Sequence, residues 1–411
     1  MYSFIVTLGL LIASIISVNI PMPISDSGFL TVNLIEIILP FIALYLFIKL
    51  LKKQYVINQN LLLLLKIIIL FILGYSFIFM LRLLNGNEYK QSLLTVKVVI
   101  LPIIILFFYD YHKFSFKNAI YAFVFFDFFI NLKMFFNLAN LRMLMFLGNI
   151  LVPISIIILL LPINFYIILS SSFSDKKIIK VLSSLNIVMS IIYPILVGSR
   201  VPAFTTILSI ILCIIWGIKE KSKKIRYTVS ITIFSFCILS TLWFTNFRGL
   251  ATYMYRIVPP TSVVNQTPEI KDISKNTFIV TMEEKSKSDS SRFSLWQRSI
   301  QSIVEDPIIG EGTIYFTLPE TSGIAQPAHN FILEYINSFG IPLTFFVSLI
   351  YLYLISIIYK KRECNRLCKL ISGTAFINLL GISLFQPTFM IVSIMMILWI
   401  FISVIFNYNI Y

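Results

Sequence analysis

Long, uninterrupted apolar runs recur along almost the whole of this chain of 411 residues. Each is close to the ~20 residues that an α-helix needs to cross the hydrocarbon core of a bilayer. About twelve can be marked by length and composition. They are Phe4–Ile20, Phe29–Ile48, Leu61–Leu84, Leu93–Tyr109, Ala119–Asn137, Ile150–Leu169, Ile178–Val197, Val201–Ile218, Tyr227–Phe247, Asn330–Tyr359, Leu370–Phe385 and Phe389–Phe406. In lipid every backbone N–H and C=O needs an internal partner, so these runs read as helices. They are continuous rather than alternating, which excludes a transmembrane barrel. The chain is 58% hydrophobic and only 12% charged, with 38 phenylalanines, more apolar surface than a soluble fold can hide. The expected fold is all-α: a polytopic membrane protein with about twelve transmembrane helices and one long loop between the ninth and tenth. The first run lacks a basic flank and a small-residue cleavage site, so it reads as a retained helix. The sixth is irregular: Met143 to Ser170 is long for one perpendicular crossing, and Pro153 and Pro162 suggest a break or a tilt.

The net charge of +15 raises nucleic acid as a partner, but its distribution argues against it. Basic residues cluster in alternate short loops: Lys49, Lys52 and Lys53; Lys113 and Lys117; Lys176, Lys177 and Lys180; Lys219 to Arg226; Lys360 to Lys369. Membrane proteins retain such loops in the cytoplasm. Both termini are therefore expected in the cytoplasm, and Arg248 to Ala328 outside it. The chain divides into helices one to nine (1–247), an extracytoplasmic loop with short amphipathic helices (248–328) and helices ten to twelve (329–411). Acidic and basic residues nearly balance in that loop, so any anion site in it is local. Cys213 and Cys237 lie inside apolar runs, and Cys364 and Cys368 in a basic loop without histidine partners. This pattern gives neither a disulfide framework nor a zinc site.

One piece of the loop has readable structure. Leu295, Trp296, Ser299, Ile300, Ile303 and Val304 share a helical stripe. Ser294 stands at an N-cap with Gln297 at capping-box spacing, and Pro307 and Gly310 end the helix. Such a helix would lie on the membrane surface, across a cavity mouth, or packed on neighbouring helices.

Ionisable residues inside spans are costly, which makes them functional candidates. The expected topology puts Glu36, Arg82, Lys97 and Lys133 in the outer half of the membrane and Asp127 near its middle. Arg200, in Gly198-Ser199-Arg200, sits at the turn between the seventh and eighth runs. Charges gathered in one leaflet suggest a water-filled cavity of positive bias, suited to a lipid-anchored diphosphate. The competing reading of each residue alone is a structural ion pair or a snorkelling end.

The chain has only two histidines. His112 falls in a short basic loop and has no chemical context. His329, with Asn330, stands where the long polar loop re-enters an apolar run, and a neutral imidazole there can accept a proton from a hydroxyl. Around it, in order, run Arg292, Trp296, Pro307, Gly310, Gly312, His329, Asn330, Leu333, Glu334 and Gly340. This succession resembles the O-antigen ligase and polymerase superfamily, membrane proteins that handle polyprenyl-diphosphate-linked glycans. Gly198-Ser199-Arg200 is similar to that family's arginine at the outer end of a helix before its longest loop.

The resemblance implies a glycosyltransferase that releases a lipid diphosphate without a metal or other cofactor. No Asp, Glu and His cluster in the sequence has metal-site spacing. An acceptor hydroxyl must lose its proton as it attacks, and the leaving diphosphate must be stabilised. His329 is the candidate base, with Glu334 or Asn330 to orient it or the acceptor. Arg200 and Arg292 are the candidate diphosphate ligands, since guanidinium forks match phosphate oxygens, with Arg248, Arg256 and Arg298 in reserve. Three activities compete. A polymerase would join undecaprenyl-diphosphate-linked repeat units into O-antigen or capsule. A ligase would pass finished glycan to another acceptor. A lipid-linked oligosaccharide transporter would show two similar halves, which the sequence lacks. The expected setting is the bacterial cytoplasmic membrane, with the lipid-linked glycan and membrane lipid as partners and a chain-length regulator and a flippase as accessory proteins.

Overall fold

The computed structural model describes residues 1–21, 29–84, 90–136, 151–170, 173, 176–196, 200–219, 224–244, 293–312, 315–317, 325–360, 366–383 and 391–406. Twelve apolar helices stand there, one for each run: α1 (Tyr2–Ile15), α2 (Leu34–Leu51), α3 (Gln59–Leu84), α4 (Lys90–His112), α5 (Phe116–Phe136), α6 (Leu151–Leu169), α7 (Lys177–Leu196), α8 (Arg200–Lys219), α9 (Ile225–Phe244), α11 (Phe331–Lys360), α12 (Arg366–Ser383) and α13 (Val392–Phe406). Between α9 and α11 lies the amphipathic α10, residues 293–305. Seven of the helices are long and apolar enough to cross a membrane by length and composition. The chain is an all-α polytopic membrane protein, with two short hairpins added.

The hairpins correct the expected boundaries. The first helix ends at Ile15 rather than Ile20, and Ser17–Pro21 (β1) pairs antiparallel with Phe29–Asn33 (β2). Val18 and Ile20 are β-branched, and Pro21 pushes the residue before it out of helical geometry, so hydropathy alone overran the helix. The second hairpin joins Tyr315–Thr317 (β3) to Ala325–Pro327 (β4) within the loop where only helices were expected.

α6 is neither broken nor peripheral. From Val152 to Leu169 every residue is buried, with α5, α7, α8, α12 and α13 packed round it. Pro162 has no N–H to give the carbonyl of Ile158. Asn378 on α12 gives it one, with its Nδ2 3.0 Å from Ile158 O and 3.1 Å from Ser209 Oγ on α8. The break is thus filled from a neighbouring helix.

A second polar knot ties α5, α6 and α7. Asn164 donates to Asp127 Oδ2 at 2.7 Å and Asn131 donates to Asp127 Oδ1 at 3.3 Å. Asn186 donates to Asn164 Oδ1 at 3.1 Å, and Asn131 reaches Asn186 Oδ1 at 3.3 Å. The four side chains close a ring inside the bundle, all of them buried. By contrast α2 and α3 leave Phe41, Phe47, Phe77 and Met80 well exposed, as expected of helix faces that meet acyl chains.

Candidate functional site

The site is built on α10. Its inward face is Leu295, Ser299 and Ser302, all buried. Of the stripe read from the sequence, Leu295 and Ser299 are buried, whereas Ile300 and Val304 are exposed. Asn337 on α11 donates to Ser299 Oγ and Ser302 donates to Glu311 Oε2 at 2.5 Å. Trp296 Nε1 donates to the carbonyl of Ala328 at 2.7 Å, and Leu295, Phe316 and Ala328 form a small buried cluster with Trp296 and Leu333. The second hairpin is thereby held on α10, and its outgoing strand delivers His329 to a fixed place.

His329 is half-buried and takes a left-handed backbone conformation, φ 56°. That geometry costs a residue with a Cβ about 1 kcal/mol or more and persists where surrounding contacts enforce it. Here it turns the chain from strand to helix in a single step. Asn330 caps the new helix: its Oδ1 accepts the amides of Ile332 at 3.0 Å and Leu333 at 3.3 Å. One turn on, Glu334 is fully buried, and neither carboxylate oxygen has a hydrogen-bond partner among the described residues. The backbone amides of His329 and Asn330 lie toward it. Asn330 therefore holds the turn by its side chain, while His329 and Glu334 supply the titratable groups.

Beneath this turn α11 is kinked. Gly340 sits at φ 74°, ψ 168°, a region open almost only to glycine, and Pro342 follows. The kink and the proline release three backbone groups, and each has a partner. Ile341 N–H donates to Pro307 O at 2.9 Å, and Asn337 O accepts Gly312 N–H at 2.9 Å. Ser338 O, which Pro342 cannot serve, accepts Arg82 Nη2 at 2.7 Å. Arg82 also donates to the carbonyls of Ile309 and Gly310. A Cβ on Gly310 would stand 2.6 Å from Asn337 O, and one on Gly340 would overlap the carbonyl of Ile308. The turn at 307–312 and the kink at 336–340 therefore meet backbone against backbone, with the buried Arg82 guanidinium as the bolt.

The in-span charges Glu36, Lys97, Arg82 and Asp127 have their partners in three different places. Glu36 and Lys97 pair with each other at 3.0 Å between α2 and α4. Arg82 serves the joint just described, and Asp127 belongs to the asparagine ring. Arg298, half-buried on α10, has no ion pair or hydrogen bond among the described residues. Arg200 opens α8 as its first residue. Arg248, Arg256 and Arg292 lie outside the described residues. Sequence reasoning missed Asn337, Ser338 and Pro342 as parts of the site. The available signal was a proline two residues after a glycine, inside a run long enough to need a kink. The partners of Asp127 were signalled only by Asn131, Asn164 and Asn186, uncharged amides inside apolar runs.

Residues 185–348 match the family described as O-antigen ligase. The matched stretch begins in α7 and takes in Arg200, α10, the His329 turn and the kink at Gly340. It leaves out Glu36, Arg82, Lys97 and Asp127. No curated protein matches the chain.

Proposed function

With an O-antigen ligase family domain as the premise, we propose that this protein polymerises undecaprenyl-diphosphate-linked oligosaccharide repeats at the outer face of the bacterial cytoplasmic membrane. The observation that carries the reading is the strand-to-helix turn at His329. It lies in the matched stretch, is clamped by Trp296 and the glycine joint, and stands about one helical turn from the buried carboxylate of Glu334, toward which its backbone amide lies.

In this mechanism an acceptor sugar hydroxyl donates its proton to the imidazole of His329 as its oxygen attacks the anomeric carbon of the donor. The bond from that carbon to the diphosphate oxygen breaks, and undecaprenyl diphosphate leaves with the electron pair. Guanidinium groups receive the growing charge: Arg298, which has no partner among the described residues, with Arg200, Arg292 and Arg248. Glu334 orients the imidazole or the acceptor. Both termini lie in the cytoplasm, the extracytoplasmic segment 248–328 carries the platform, and a chain-length regulator and a flippase act with the enzyme. The family's description favours one second reading, a ligase that moves finished glycan to a different acceptor.

Co-expression with the enzymes that make one lipid-linked repeat separates the two. A polymerase yields a ladder of glycan sizes, and His329→Ala reduces it to single units at unchanged protein level. An intact ladder in His329→Ala removes the base. Transfer of preformed polymer to a second acceptor without any ladder assigns the protein as a ligase.

A further inference from the structure

α10 presents three different edges. Leu295, Ser299 and Ser302 are buried in the protein. Gln297, Gln301 and Glu305 form an exposed polar edge, with Gln301 donating to Glu305 at 2.8 Å. Between them, on the side of Trp296 and Ile303, runs an apolar stripe facing outward: Phe293 is 61% exposed, Ile300 51% and Val304 74%. These positions recur at i, i+7 and i+11, one face of a helix. Ile308, 65% exposed in the following turn, extends the stripe.

The stripe leads directly onto a spanning surface. Pro307 and Ile341 are hydrogen-bonded, and Ile308 lies against Gly340. Ile341 and Phe345, 49% and 61% exposed, begin the outward face of the lower piece of α11. That piece, from 341 to 360, is about 30 Å long, the thickness of a hydrocarbon core. Its upper end is the kink, and the last turn of α3 at Arg82 reaches the same level. A helix that ends beside this level, with one edge in protein, one polar and one apolar, has the order of an interfacial helix.

We propose that α10 lies in the bilayer interface, with Phe293, Ile300, Val304 and Ile308 seated among the acyl chains of the outer leaflet, and that this seating fixes the depth of the His329 turn. The occupant of the stripe is lipid, because the stripe is continuous with the lipid-facing side of α11. This inference is independent of the reaction assigned above; that the leaflet is the outer one rests on the orientation proposed there.

The test uses the full-length protein with its native cysteines replaced by serine, in nanodiscs of phosphatidylethanolamine and phosphatidylglycerol. Single cysteines at 293, 300, 304 and 308 carry nitroxide labels, and power saturation compares oxygen with a water-soluble nickel chelate. Position 345 serves as the lipid reference and 301 and 305 as the aqueous references. The four stripe positions should resemble 345, with oxygen the stronger relaxant by severalfold, and 301 and 305 should favour nickel. Stripe positions that favour nickel would overturn the proposal. So would positions shielded from both reagents, which would assign the stripe to residues 245–292 or to a second copy of the chain.

Discussion

Arg82 does for the kinked helix what a backbone amide does in a straight one. A cation at the end of a span suggests, from sequence, a charge in a cavity. Its role as a donor to Ser338 O is visible only once Pro342 is known to lie across from it, because the sequence separation is more than 250 residues. Glycine was more legible. Gly310, Gly312 and Gly340 stand out as motif residues, and the structure supplies the reason: all three have positive φ, and two pack where a Cβ has no room. Gly340→Ala should therefore be severe. The backbone region alone costs about 1–3 kcal/mol, before the overlap with Ile308. Gly9→Ala, at a helical position with open space around it, should be neutral. Thermal denaturation of the two variants in detergent measures the contrast, and a Gly340→Ala protein as stable as Gly9→Ala would refute the joint.

At the level of elements, hydropathy located all twelve apolar helices, because lipid leaves a backbone no other regular option of that length. It failed on features that depend on partners. The hairpin strands are too short to show a period, and the apolar stripe of α10 did not reveal which of its residues pack on protein: Leu295 and Ser299 are buried, whereas Ile300 and Val304 are exposed. The two prolines of the sixth run suggested a break, whereas Asn378 fills the gap left by Pro162. Asn378→Leu should cost about 1–2 kcal/mol, the range for hydrogen bonds between helices in membranes. In a Pro162→Ala background the helix regains its own donor to Ile158, so the same substitution should cost less. A double-mutant cycle on thermal stability reads the difference, and equal costs in both backgrounds would show that Asn378 does not serve that carbonyl.

At the scale of the whole molecule, the buried and half-buried polar groups are distributed as ties between particular helices. The Glu36–Lys97 pair joins α2 to α4, the asparagine ring joins α5, α6 and α7, and Asn378 joins α6, α8 and α12. Between helices immersed in lipid the hydrophobic effect gives little preference, so such bonds and close packing set the arrangement. The kink at Gly340 has a consequence for the membrane in which the protein works. α11 is 30 residues long, about 45 Å if straight, and with the kink at the bilayer surface, as proposed above, only the part below it has to match the bilayer. When the hydrocarbon layer thickens or thins, that lower part can change its tilt while the upper piece stays clamped to α10 and Arg82. Glycan synthesis in vesicles of increasing acyl-chain length should accordingly stay nearly constant across a range of a few ångströms. A steep optimum at one thickness would mean that the two halves of α11 move as one rod. The glycine joint thus separates two tasks that a straight helix would couple, spanning a membrane of variable width and holding a histidine in one place.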